Sequence, residues 1–350
     1  MIGVADAAMV STPQVSETKL RQSQGIGLQG RRGEAPETER LTVFLPNRGF
    51  FGASLVVIPF LLSLRRRYPG LPIMGLSPTP AHQCFRDWGL IDTFVHYPKP
   101  LRSGFIAAVR PTLRGRSTVV ADLRPGSEWV QLWARCLPAN ERWCFDQGLG
   151  RLLDRRRIAY NDRQYRAANY LALIPGENPL RSGDLSAGWP ATAPPSVRSG
   201  RRLVMMPGGS DEKKLWPLSS YEAVLRAWVY ELGGDGVTVV AGPSESHVQS
   251  WFTERSIDRL PGARLLVSPR PNELIAVVRG AAAAVHNDCG PGHLAQLVDT
   301  PRVVLFPENG FPGEWFRPGF RARCFQAAAG QHITSITSDQ VIAALREITA

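Results

Sequence analysis

One pattern constrains this chain more than any other, and it occurs twice. Short apolar runs of strand length alternate with stretches of helical length, on either side of a segment rich in Pro, Gly and Ser. In the first set, LTVFLP (41–46) reads as a buried strand. Residues 53–67 read as a helix that ends in Arg65-Arg66-Arg67 and stops at Pro69-Gly70. Residues 72–76 and 118–121 read as further strands, with helical stretches near 127–136 and 164–173. Thr79-Pro80 has the form of an N-cap followed by N1. In the second set, strands are expected at 202–206, 237–241, 283–286 and 302–306. Helices are expected from Pro217, at 244–254, 271–279 and 292–298, and at 340–348 with Ser338 or Asp339 as cap. Strands that alternate with helices make parallel sheets covered on both faces. Two such sets predict two α/β halves facing a cleft, with ligands beyond the carboxyl ends of the strands.

The boundaries follow from composition. Residues 1–40 are polar without apolar periodicity and read as a disordered extension. Residues 41–175 form the first half, 176–200 the linker and 201–350 the second half. At ~150 residues per domain, 350 residues suit two cores. The longest uncharged apolar run, 53–62, is about half of the ~20 residues a membrane-spanning helix needs. The first residues lack the basic and apolar regions of a secretory signal. Five scattered cysteines without a CxxC argue against a disulfide framework or zinc ribbon and fit a reducing cytoplasm. No metal-ligand spacing is visible. Neither GxGxxG nor GxxxxGK[ST] follows a strand, which leaves a dehydrogenase or a P-loop nucleotidase unsupported.

The net charge of +11 is concentrated in one part of the chain. Residues 41–180 carry 19 basic and nine acidic side chains, against 17 and 16 for residues 181–350. Only four of the 41 basic residues are lysines. An arginine-rich half can grip phosphates or an anionic membrane surface; it can also be solvated decoration.

Two stretches carry candidate chemistry, each between a strand and a helix. In PGGSDEKKLWP (207–217), the glycines let backbone approach a ligand, Ser210 offers a hydroxyl and Lys214 a point charge suited to phosphate. The alternative is an ordinary turn with a solvated lysine pair. In NDCGPGHLA (287–295), Gly290 and Gly292 offer amides at the positive end of a helix, Asp288 accepts hydroxyl hydrogen bonds, and His293 reaches a phosphate or sugar. The alternative is Asp288 as a cap and His293 as a half-buried imidazole.

Taken together, in this order, the two stretches resemble glycosyltransferase family 9, the lipopolysaccharide heptosyltransferases and their relatives. That family reads PG[AG]S-xxx-K-x-WP and later ND[ST]GP-x-HLA. The segments VTVVAGPSE and LVDTPRVVLFPEN, and Trp315 with Pro318, resemble what lies between and after these motifs. RGFFGASLVVIPFLLSLRRRYPG and VVADLRPGSEWVQLWARCLP resemble the family's N-terminal segments more loosely. The likeness spans roughly residues 41–320. It implies a GT-B fold: two Rossmann-like domains with parallel sheets facing a cleft, the acceptor in the first and the nucleotide-sugar donor in the second. It implies inverting, metal-independent glycosyl transfer without a cofactor, typically of heptose from ADP-heptose. Ser210 and Lys214 would hold the diphosphate, Glu245 the ribose, and Asp288, Gly290, Gly292 and His293 the donor phosphate and sugar. The implied partners are a nucleotide-sugar and an acidic glycan or glycolipid such as lipopolysaccharide core, with peripheral contact at the inner membrane and no nucleic acid.

One position departs from the family. The acceptor loop Gly52-Ala53-Ser54 has Ala53 where the family carries the Asp taken as catalytic base. Inverting transfer needs a base within reach of the acceptor hydroxyl. Asp122, at the end of a strand facing the cleft, is the first candidate, with Glu128 and His82 behind it. A donor-binding scaffold without turnover, or an enzyme acting on a protein or small molecule, are the alternatives. Cys289 in place of Ser or Thr is a milder change, since backbone does much of the work there.

Overall fold

The computed structural model describes residues 39–47, 51–98, 104–126, 128–148, 156–178, 183–189 and 200–350, without the side chains of 128, 129, 156 and 157. Residues 1–38 of the expected extension, most of the expected linker and the Glu128 side chain therefore lie outside the described residues.

Among the described residues, twelve strands form two parallel six-stranded sheets. The first contains β1 (Arg40–Phe44), β2 (Ile73–Ser77), β3 (Thr93–His96), β4 (Ser117–Asp122), β5 (Ala139–Phe145) and β6 (Arg156–Ile158), in the order β3-β2-β1-β4-β5-β6. The second contains β7 (Arg202–Met206), β8 (Gly236–Ala241), β9 (Arg264–Val267), β10 (Ala283–Asn287), β11 (Arg302–Phe306) and β12 (Ala322–Gln326), in the order β12-β11-β10-β7-β8-β9. Counted within its own half, each sheet has the doubly wound order 3-2-1-4-5-6. The expected fold class is thus the observed one, twice over. The central strands β2, β8, β10 and β11 are buried along their whole length, which is why they read as unbroken apolar runs. The outer strands β3 and β9 are exposed at both ends, and β5 carries exposed Asn140 and Glu141.

Three local expectations need correction. The single helix expected over 53–67 is two helices, Phe51–Leu55 and Ile58–Arg67. Pro59 has no N–H to donate and lies in the first turn of the second helix, where none is needed. Thr79 does not cap the short 3-10 turn Pro80–Gln83; its hydroxyl donates instead to the Asn47 carbonyl at 3.1 Å. The last helix, Ser338–Thr349, is capped by Thr337 through a reciprocal box with Gln340, not by Ser338 or Asp339.

The halves share apolar packing. One buried cluster joins Leu41, Val57, Leu61 and Tyr170 of the first half to Met206, Leu274, Ala284 and Leu294 of the second. The segment 183–189 ties them further. Arg279 bonds Asp184 at 3.0 Å and the Trp189 carbonyl at 2.9 Å, and Trp189 Nε1 donates to the Trp88 carbonyl at 3.2 Å.

Candidate active site

Both strand orders reverse direction between their two central strands, β1/β4 and β7/β10. The loops leaving those four strands hold the acceptor loop, Asp122, and the two sequence motifs. Strand topology alone therefore gathers them, as it does ligand crevices in open α/β sheets generally.

Asn287, at the end of β10, locks the two motifs together. Its amide donates to the carbonyls of Pro207 (2.6 Å) and Gly208 (3.3 Å). Its oxygen accepts from the Trp216 N–H (3.3 Å) and the Tyr221 hydroxyl (3.0 Å). Trp216 is anchored in turn by its indole N–H to the Ile336 carbonyl at 2.7 Å and by an edge-on contact with Tyr221. The Trp-Pro of the first motif and the Asn of the second are thus the frame of the site. Cys289 is buried with its thiol pushed up to about 12 by burial, so it remains a neutral thiol, 3.9 Å from the Met206 carbonyl. A Ser or Thr hydroxyl has a donor to offer at the same place.

On that frame sit the charged groups. A 3-10 turn, Glu212–Lys214, interrupts the path from β7 to the next helix and is capped by the Asp211 carboxylate on the Lys213 N–H. It brings Lys214 Nζ to 2.6 Å from Asp288 Oδ2. Asp288 is nearly enclosed while Lys214 stays about one-third exposed, so the cation faces outward from a buried anchor. Ser210 is exposed on the same loop. Glu245 precedes the helix Ser246–Glu254, accepts the Gly242 N–H at 2.8 Å and lies against Gly208. A Cβ at Gly208 would stand 1.9 Å from its carboxylate, so only glycine allows this approach.

The histidines are core groups poised at the site's edge. His293 is buried, not half-buried, and burial holds it down at about 4. The Gln296 amide, oriented by the Trp315 carbonyl and the Arg317 N–H, donates to Nδ1 at 3.1 Å and so places the ring proton on Nε2. His286 is held down to about 3, also by burial. Its ring occupies the space where a Cβ of residue 292 would lie, at 2.1 Å. Gly290 is approached less closely, at 3.0 Å by Phe51 and 3.4 Å by the Gly52 nitrogen, and Gly52 packs on the His293 ring. The acceptor loop therefore touches the second motif directly. Ala53 and Ser54 beside Gly52 are buried.

Residues of both halves line a cavity of about 370 Å³. Asn47, Arg124, Gln147, Tyr160, Arg166 and Glu314 give it its polar lining. Asp122 is not part of that lining. Its Oδ1 accepts from the backbone N–H and Nε of Arg124 at 3.0 and 3.2 Å, and the residue is 2% exposed. Burial raises its pKa, with Arg124 opposing. The first candidate for the base is thus a buried partner that orients an arginine, because the chain turns it inward where β4 ends. His82 is likewise sealed in, against the Ser77 hydroxyl at 2.8 Å. Arg124 also donates to the Tyr97 hydroxyl at 2.6 Å, while its buried Nη2 has no hydrogen-bond partner among the described residues. Arg166, Tyr160 and Glu314 stand in no motif and Arg124 only in the loosely similar segment 119–138; sequence reading named none of them, and the arginine excess of the first half signalled the two arginines alone.

Residues 177–315 match the model of glycosyltransferase family 9 (heptosyltransferase). No curated protein matches the sequence. Among solved structures, the Escherichia coli heptosyltransferase WaaC with ADP superposes with a TM-score of 0.65 at 16% identity, over 88% of this chain and 99% of that one. A family 9 glycosyltransferase from Veillonella parvula superposes at 0.64 and 16% identity, over 90% and 98%. TibC of enterotoxigenic E. coli, an iron-containing dodecameric glycosyltransferase, superposes at 0.50 and 13% identity, over 89% and 76%. With two doubly wound sheets, a framed pair of motif loops and the match across residues 177–315, this chain is a glycosyltransferase of GT-B fold, of which residues 177–315 match the family 9 (heptosyltransferase) model.

Proposed function

We propose that the chain moves a heptose or related sugar from an ADP-sugar to an anionic glycan or glycolipid, by inverting transfer that needs no metal. The observation that carries this reading is the Lys214–Asp288 pair, which sets an outward cation where the two motif loops meet. An incoming diphosphate exchanges one anionic partner of Lys214 for another and meets Ser210 on the same loop. Glu245, held against Gly208, faces the nucleoside, and Asp288 and His293, with the backbone at Gly290 and Gly292, face the phosphates and sugar. Charge building on the leaving diphosphate is then stabilised by a group already in place, and such fixed electrostatic stabilisation is usually the largest contribution to catalysis. The unpartnered Arg124 Nη2 supports an anionic acceptor. Residues 93–121 contain no acidic side chain, and exposed Arg110 and Arg114 stand beside exposed Ile106 and Leu113. That surface supports peripheral contact with the cytoplasmic face of an anionic membrane. No helix among the described residues is long and apolar enough to cross a membrane.

Thermal stabilisation by ADP, UDP, GDP and CDP tests the donor. Ligand at ~100 Kd adds about 2.7 kcal/mol. A shift with ADP alone that disappears in Lys214→Ala is expected; equal shifts with all four, or none, overturn the ADP assignment. Turnover unchanged by EDTA supports metal independence. Ala53 favours a second reading, a donor-binding scaffold, which requires ADP binding with no release of ADP from ADP-heptose.

A further inference from the structure

Transfer with inversion leaves one chemical demand that neither motif meets, a group that takes the proton of the attacking hydroxyl. Resting on the glycosyltransfer reading above, we propose that Glu314 is that general base and that the cavity it lines is the acceptor subsite.

Glu314 is the one carboxylate among the described residues lining this cavity. It stands in the short helix Pro312–Trp315, in the loop that leaves β11 of the donor half, yet its partners belong to the other half. Its Oε1 accepts from the Tyr160 hydroxyl at 2.7 Å and pairs with Arg166 Nη2. Burial and the carboxylate together raise the Tyr160 phenol, so the phenol keeps its proton and donates it. Both donors converge on one oxygen, and no partner among the described residues takes Oε2. That arrangement fixes the carboxylate and leaves one oxygen to accept a proton. The contact is built into the backbone: Gly313 packs 3.1 Å, measured to an added Cβ, from the Arg163 Cα, so a side chain there would push the helix away.

The position relative to the donor motifs is also right. The Arg166 guanidinium lies over the Trp315 ring at 4.7 Å, and Trp315 lies 5.4 Å from the His293 ring. Arg166 and Lys214 both act electrostatically on His293. Arg166 of the cavity wall is thus linked through Trp315 to His293 of the second motif. Arg124 lines the same cavity, is held in place by Asp122, and has a buried Nη2 without a partner among the described residues, a donor that an acceptor anion would complete. A volume of about 370 Å³ is within the roughly 300–1,000 Å³ of small-ligand sites. In the step proposed, the acceptor oxygen bonds the anomeric carbon while its proton passes to Glu314 Oε2. The carbon–oxygen bond to the diphosphate breaks, and its electron pair leaves with ADP beside Lys214. No further reactant is needed.

The test is ADP release from ADP-heptose in the presence of deacylated lipopolysaccharide core, with ADP binding followed separately by thermal shift. Glu314→Gln keeps an oxygen for Tyr160 and Arg166 but is not a base. Its kcat should fall about 10²–10⁴-fold with the ADP shift unchanged. Glu314→Asp should recover part of the rate, and the acid limb of the wild-type kcat/KM profile should vanish in Glu314→Gln. A Glu314→Gln rate within threefold of wild type, with that acid limb intact, overturns the assignment and leaves glycosyl transfer standing. No ADP release by the wild type itself overturns the transfer reading, and the role of Glu314 with it.

Discussion

The two halves share one strand order but build the switch point of their sheets in opposite ways. In the second half the loops after β7 and β10 are fastened by a neutral amide, Asn287, which makes four hydrogen bonds across them. In the first half the corresponding place holds charge. Arg124 is buried against Asp122 with one nitrogen unpartnered, and Arg166 crosses to the carboxylate of the other half. A neutral, saturated network is geometrically committed before ligand arrives. A buried cation with a free donor is complete only when an anion joins it. One half thus holds a completed neutral network, and the other a charged one that still has a donor to spend.

The sharpest way to break this contrast is to remove the fastening in each half. Asn287→Ala leaves the buried Tyr221 hydroxyl without its acceptor and the Pro207 carbonyl without its donor. At about 1–3 kcal/mol for each of these two groups, the loss should be about 2–6 kcal/mol in denaturant unfolding, together with loss of the ADP thermal shift. The counterpart, Thr79→Ala, removes an exposed bond to the Asn47 carbonyl and should cost under about 1 kcal/mol. Equal losses would remove the distinction.

Acid titration sharpens it next. His286 and His293 in the second half titrate at about 3 and about 4, below the ~6.5 of an unfolded chain. Below pH ~6.5 the unfolded chain therefore binds more protons, so this contribution is full above that pH and is lost as pH falls toward 4. For His293 the loss approaches roughly 3 kcal/mol. Asp122 in the first half is shifted upward, so its contribution has the other sign and declines as pH rises above the unfolded carboxylate value. Unfolding free energies between pH 4 and 7 should rise with pH, less steeply in His293→Gln and more steeply in Asp122→Asn. Parallel slopes in the three proteins would contradict both assignments.

How far the sequence was legible follows the same division. Central strands are covered on both faces, so β1, β2, β4, β7, β8, β10 and β11 stand out as apolar runs within a residue or two of their expected positions. The edge strands β3, β6, β9 and β12, and β5 beside β6, are absent from the sequence reading. Their one-sided or partial burial breaks the run, as in exposed Asn140 and Glu141 of β5 or exposed Arg264 of β9, and they exist because a neighbour's edge recruits them. The site divides likewise. The framed motifs are contiguous because a tight backbone path needs its Gly, Trp and Pro in order. The cavity draws Asn47, Arg124, Tyr160, Arg166 and Glu314 from the ends of different strands, a set that only the folded topology assembles.

Helix capping supplies the finest comparison, because both halves offered a cap signal and each was displaced by a neighbouring bond. Thr79-Pro80 has the right residue types, but the Thr79 hydroxyl has a better partner in the Asn47 carbonyl. At the C-terminal helix, Ser338 and Asp339 are as good as Thr337 by type alone. Only Thr337 sits three residues before Gln340, whose side-chain oxygen accepts the Thr337 N–H at 2.9 Å while the Thr337 hydroxyl accepts the Gln340 N–H at 3.3 Å. Thr337→Ala should therefore cost about 1 kcal/mol, the ordinary worth of a cap, while Ser338→Ala, already inside the helix, should be near neutral. The helix contributes Leu345 and Ile348 to the core of the second half, so the loss will read out in global unfolding rather than as local fraying. A larger cost for Ser338→Ala would move the helix start by one residue and undo the box.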